Sequence, residues 1–179
     1  MTPVTQSSTP PTAPADTADA PAEPHFRAPR ISDGIRMWQI ARDSKVLDVN
    51  SSYAYVLWCR DFAATSVVAT AGDDEAVGFV SGYRRPDAPD TLFVWQVAVD
   101  QDQRGRGVAG RMLDSLWDRL TDAGVTRLET TVSPDNEASI AMFTALARRR
   151  GLRITRSELF TPSDFPDSHM AEDLYTIGE

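Results

Sequence analysis

Residues 97–113, VAVDQDQRGRGVAGRML, constrain the fold more than any other stretch of the chain. The apolar, β-branched start reads as a buried strand. The spacing of Val108, Met112, Leu113, Leu116, Trp117 and Leu120 then predicts an amphipathic helix, ended by Gly124. A strand feeding a helix in this way commits both to one layered α/β unit. The turn between them is dense in glycine and arginine. It directs the unpaired N–H groups of a helix N-terminus, and the positive end of the helix dipole, at one point. Gly105 and Gly107 let the backbone approach an anion, and Arg104 and Arg106 add charge-assisted donors, so the loop suits a diphosphate. No Lys-Ser or Lys-Thr follows the glycines and no Gly-x-Gly-x-x-Gly is present, which argues against nucleotide hydrolysis and dinucleotide binding. Taken alone, the same residues also describe a solvated arginine turn before a surface helix.

The 179 residues suffice for one well-cored domain with an appendage. Residues 1–24 hold six of the twelve prolines, three acids, and no base, Ile, Leu or aromatic residue. Residues 1–25 are therefore read as a disordered Pro/Ala/Thr-rich tail and residues 26–179 as the folded domain. FRAPR reads as a short strand. Ser32 and Asp33 signal the cap of a helix with Ile35, Trp38 and Ala41 on one face, and Asn50 or Ser51 caps a second helix reaching about Phe62. TSVVAT and VGFVSGYRR form a hairpin across the acidic turn AGDDEA, and TLFVWQVAV follows as the fourth strand. TRLETTV is a strand, DNEASIAMFTALARRR a helix stopped by Gly151, and LRITRSELF and EDLYTI the last two strands. The sum is an α/β (α+β) domain, a mixed sheet flanked by helices rather than a doubly wound repeat.

A net charge of −8 repels nucleic acid and anionic lipid, so neither is expected as a partner, and no apolar run reaches the roughly 18 residues needed to span a bilayer. Cys59, the one cysteine, lies in the second predicted helix as core packing; with no basic and apolar leader at the N-terminus, a cytoplasmic setting is expected. No His, Cys and carboxylate cluster has metal-ligand spacing, and no metal is expected.

Arg104-x-x-Gly107-x-Ala109, placed directly after VAVD, resembles the acyl-CoA diphosphate motif of the GNAT N-acetyltransferase superfamily, and the element order from Phe26 onward is similar to that superfamily's. The resemblance implies a mainly antiparallel sheet with splayed fourth and fifth strands. It implies acetyl-CoA as co-substrate, with pantetheine paired to the backbone of Val97, Ala98 and Val99. The diphosphate would sit on Arg104, Gly105, Arg106, Gly107, Val108 and Ala109. Asn136 matches the superfamily's contact to the cofactor arm; its chemistry serves equally as a helix cap. Many GNAT enzymes carry a Tyr seven residues after that Asn to protonate the departing thiolate. This chain has Phe143, which holds no such proton, so another group or solvent must supply it.

Two longer blocks, LDVNSSYAYVLWCRDFAATSVVA and GFVSGYRRPDAPDTLFVWQVAVD, together with LETTVSPDNEAS and HMAEDLY, resemble the diaminobutyrate acetyltransferases of ectoine biosynthesis. That family acetylates the γ-amino group of L-2,4-diaminobutyrate, and its members are typically homodimers. The substrate carries two ammonium groups and a carboxylate, so its pocket needs anionic or carbonyl partners and a donor. Asp48, Tyr53, Trp95, His169 and Glu172 are the expected substrate shell, with Asp48, Glu172 and His169 as candidates for handling the proton and Glu129 as an alternative base. As plain structure, Asp48 is a loop residue near a cap, Trp95 and Tyr53 packed aromatics, and His169 and Glu172 solvated charges. Two rival functions remain open at this level: acetylation of another small amine or a protein N-terminus, and a non-catalytic acyl-CoA sensor.

Overall fold

A computed structural model describes residues 23–166 and 169–179. Nearly all of the predicted N-terminal tail therefore lies outside the described residues. The first strand, β1 (His25–Arg27), begins just ahead of the domain start inferred from composition.

The chain continues through α1 (Gly34–Ser44), α2 (Ser52–Asp61), β2 (Val67–Ala71), β3 (Glu75–Arg85), β4 (Ala88–Val99), α3 (Val108–Thr121), β5 (Arg127–Val132), α4 (Glu137–Arg150), β6 (Arg153–Phe160) and β7 (Glu172–Gly178). The seven strands form one sheet in the order β1-β2-β3-β4-β5-β7-β6. Every neighbouring pair is antiparallel except β4 and β5, the two strands that α3 connects. That is what a helical crossover requires. The insertion of β7 between β5 and β6 is invisible in a linear reading of the chain.

Each face of the sheet has its own core. Val67, Val80, Leu92, Val94, Leu128 and Ile177 pack against Met112, Leu113 and Leu116 of α3 and against Phe143 and Leu146 of α4. On the other face Val68, Phe79 and Ala98 meet Met37, Ile40 and Ala41 of α1 and Tyr55 and Cys59 of α2. Full burial of each large aliphatic contributes ~1.5–3 kcal/mol, so the stripe read on α3 anchors the loop that precedes it. The buried face of α1 is turned from the expected one: Ala41 is buried, but Ile35 is 48% exposed and Met37 and Ile40 fill the contact instead. On this face α1 approaches α2 closely: a Cβ on Gly34 would meet the Val56 Cα at 2.7 Å.

The feature that shapes the functional region is a β-bulge. Gly82 pairs with Val94 and Ser81 with Gln96, leaving Trp95 as the extra residue on β4. A bulge bends its strand and re-aims side chains. The parallel ladder from β4 to β5 ends at this point, with the pair Val94 and Thr130. Beyond it the two strands diverge.

Candidate active site

A cleft of about 490 Å³ opens where β4 and β5 part. Its walls are Val94–Val97 of β4, Thr130–Ser133 at the end of β5, the start of α4, residues of the loop 46–50, and Phe160, Phe165, His169, Met170 and Glu172. Asp48, Trp95, His169 and Glu172, far apart in sequence, all line it. Tyr53 does not: it sits on the first turn of α2, 69% exposed, while Tyr55 on the opposite side of the helix is buried against β4.

Trp95 is half-buried in an aromatic stack, 4.5 Å from Trp58 and 6.5 Å from Tyr55 between ring centroids. The packing reading is realised, and the same indole lines the cleft. Glu172 opens β7 beside the end of β5, and its Oε1 accepts the Ser133 hydroxyl at 2.8 Å. Asp48 and His169 meet across the mouth of the cleft, with Nε2 3.1 Å from Oδ2, while Nδ1–H donates to the Met170 carbonyl at 2.7 Å. Both ring nitrogens face acceptors, an arrangement that only the imidazolium satisfies. The Met170 carbonyl, then the Asp48 carboxylate, accordingly raise the His169 pKa above its ordinary value. The ring also stacks on Phe165 at 4.1 Å.

Glu129, the alternative base, faces elsewhere: its carboxylate is almost buried and paired with Arg85 at 2.8 Å, outside the cleft lining. Cys59 is core, with burial pushing its thiol up to about 12. Among the described residues no group of three or more His, Cys, Asp or Glu is placed to hold a metal ion.

The glycine and arginine loop leaves the end of β4 and opens onto α3. Arg104, Gly105, Arg106 and Gly107 are exposed; both glycines are left-handed, at φ +73° and +71°, with nothing within 4 Å of the position a Cβ would take. Gly107 caps α3 without a side-chain hydrogen bond, whereas Asn136 caps α4 by accepting from the Ser139 N–H at 3.1 Å. The α3 N-terminus therefore presents N–H groups outward, as a diphosphate requires. Val108 is buried and Ala109 half-buried, so at Val108 only the backbone can face an anion. Arg104 donates to the Val99 carbonyl at 3.0 Å, tying the loop to β4 and occupying one backbone group expected to pair with pantetheine. Ala98 and Val99 lie outside the cleft lining, to which β4 contributes Val94 to Val97. Asn136 is the α4 cap through its Oδ1, and the residue also lines the cleft.

Sequence reasoning passed over Gln96 and Ser133. Gln96 carried a usable signal, a polar side chain in an apolar strand, which must find partners if buried. Ser133 carried none, because its pairing with Glu172 depends on the strand order.

The Acetyltransferase (GNAT) family profile matches residues 34–147. An L-2,4-diaminobutyric acid acetyltransferase from Nocardia farcinica is 59% identical over 153 residues, covering 86% of this chain and 79% of that protein. One of the same name from Halomonas elongata is 42% identical, covering 88% and 82% respectively. Among solved structures, the diaminobutyrate acetyltransferase of Paenibacillus lautus, in complex with its substrate L-2,4-diaminobutyric acid and coenzyme A, superposes with a TM-score of 0.82 at 40% identity, over 87% of this chain and 95% of that one. With the matching profile, the bulged and splayed β4, the open α3 N-terminus and these relatives together, the chain belongs to the GNAT acetyltransferase family and, within it, to the diaminobutyrate acetyltransferases.

Proposed function

We propose that the protein transfers the acetyl group of acetyl-CoA to the γ-amino group of L-2,4-diaminobutyrate, forming the N-γ-acetyl product used in ectoine biosynthesis. The observation that carries this reading is the convergence of Asp48, His169, Glu172 and Trp95 on the one cleft that the β4–β5 splay opens. Acetyl-CoA fits the chain's own features: an uncapped helix start with two open glycines for the diphosphate, and an unpaired β4 edge leading from it to the cleft.

The γ-ammonium has a pKa near ~10, so it must lose a proton before it attacks. Two carboxylates await it. Glu172 is oriented by Ser133, and Asp48 is engaged by the His169 cation until a substrate ammonium competes for it. Where His169 holds its proton the first proton passes to a carboxylate, and His169 relays only after losing its own. The freed amine forms its bond to the thioester carbonyl, and β4 backbone N–H groups around Val97 hold the oxyanion. Collapse breaks the carbon–sulfur bond; of the two protons that nitrogen loses in becoming an amide, one ends on sulfur by way of the carboxyl group or solvent and the other leaves to solvent. Phe143 is packed in the core and donates nothing. Trp95 offers its indole face to an ammonium group.

The reading extends to a homodimer in the cytoplasm. It is supported by the family resemblance, by the single cysteine buried as a free thiol, and by Leu159 and Phe160 exposed on the edge strand β6. Among the described residues no helix is long and apolar enough to cross a membrane. Light scattering on the purified chain measures the oligomer directly.

The test of the activity is thiol release from acetyl-CoA with a panel of amines that includes L-2,4-diaminobutyrate, ornithine, lysine and a short peptide N-terminus. Product NMR then locates the acetyl group. Release with diaminobutyrate, and acetyl on the γ-nitrogen, is the expected result. Absence of release with diaminobutyrate, or a much faster reaction with another amine, contradicts the reading.

A further inference from the structure

Gln96 occupies the position after the Trp95 bulge and is only 5% exposed. Its amide is fully engaged at both ends. Oε1 accepts the Tyr55 hydroxyl of α2 at 3.0 Å, and Nε2 donates to the main-chain carbonyl of Asp48 at 2.9 Å. The Tyr55 oxygen in turn faces the backbone N–H of Asn50. Two side chains from the packed core thus hold a loop segment, Asp48 to Asn50, whose own side chains are exposed. The Asp48 carboxylate is 86% exposed and has no packing to orient it; its direction over the cleft comes from the backbone beneath it and from His169 opposite.

We infer that Gln96 and Tyr55 are positioning residues for the amine substrate: they pin the backbone of the Asp48 loop so that its carboxylate faces His169 and Glu172 across the cleft. The inference rests on the reading of Asp48 as a substrate ligand. Its physical basis is that a buried amide with both ends satisfied has one orientation, whereas an exposed loop without such anchors samples many. Neither side chain touches the diphosphate loop, and pairing of pantetheine to β4 would use the backbone rather than the Gln96 amide, whose partners are Tyr55 and the Asp48 carbonyl, so the influence of both side chains falls on the amine.

The test measures both substrates in two variants. Gln96→Met removes the amide at nearly constant volume, and Tyr55→Phe removes only the hydroxyl while keeping the ring against Phe79. Each is expected to lower kcat/KM for diaminobutyrate by ~5–10-fold, the size of one lost anchoring hydrogen bond, through KM more than kcat. The acetyl-CoA Kd by calorimetry stays within ~2-fold of wild type. In an Asp48→Ala background the same substitutions lose their effect, because the group they position is gone. Circular dichroism confirms folding, and Tyr55→Phe carries the test should Gln96→Met fold poorly. Equal losses for both substrates, unchanged kinetics in folded variants, or the full loss persisting in the Asp48→Ala background overturns the inference. A wild-type enzyme inactive on diaminobutyrate overturns the functional reading instead, so the two failures are separable.

Discussion

The imidazole of His169 and the carboxylate of Asp48 form an ion pair across the cleft mouth, and its pH behaviour follows from sign. The folded-state pKa of His169 is raised, by the Met170 carbonyl and then by Asp48. The pair therefore stabilises fully below the ordinary value of about 6.5 and is lost as pH rises through the raised one. NMR titration of His169 should find its pKa above the ordinary value, and Asp48→Asn should bring it down. KM for diaminobutyrate should fall as pH passes upward through that pKa, since Asp48 is released while the substrate ammonium is still charged. A KM that rises over the same interval contradicts the competition. Asp48→Ala should lower kcat/KM for diaminobutyrate by ~10–100-fold and leave acetyl-CoA binding within ~2-fold, as steady-state kinetics and calorimetry will read.

Elements hold these residues through their ends. Gly107 starts α3 at φ +71°, in open space. Gly107→Ala should cost ~1 kcal/mol of backbone strain, a Tm drop of ~2–4 °C, and should weaken acetyl-CoA binding without changing KM for the amine. Asn136→Ala removes the α4 cap and should cost ~1 kcal/mol in a denaturant melt. These ends were legible in the sequence, because caps and breakers act locally: α3, α4 and their stops at Gly124 and Gly151 lie where the periodicity places them. What depends on pairing between distant strands was not legible. The Trp95 bulge, the place of β7 between β5 and β6, and the engagement of Gln96, Ser133 and Glu129 are set by register, which leaves no mark in a local pattern. Asp48, Trp95, His169 and Glu172 were singled out through resemblance and residue chemistry, and the fold brings those four together; Tyr53, chosen on the same grounds, stays outside the cleft.

At the scale of the molecule, the sheet is a frame that fails by design at one seam. Two cores hold its faces, the bulge bends β4, and the gap that results is where the proposed function seats the coenzyme's arm and the amine. Filling it should stabilise the fold by mass action: acetyl-CoA at one hundred times its Kd adds ~2.7 kcal/mol, read as a Tm rise of ~5–10 °C. Diaminobutyrate should add a further rise when coenzyme A is already bound. The most direct measurement is a crystal structure of the protein with coenzyme A and diaminobutyrate. The diphosphate is expected on the backbone N–H groups at the α3 N-terminus and the pantetheine along Trp95 to Val97. One substrate ammonium should lie within about 3 Å of an Asp48 or Glu172 oxygen. A diphosphate elsewhere on the surface, or an amine bound away from both carboxylates, would contradict the account.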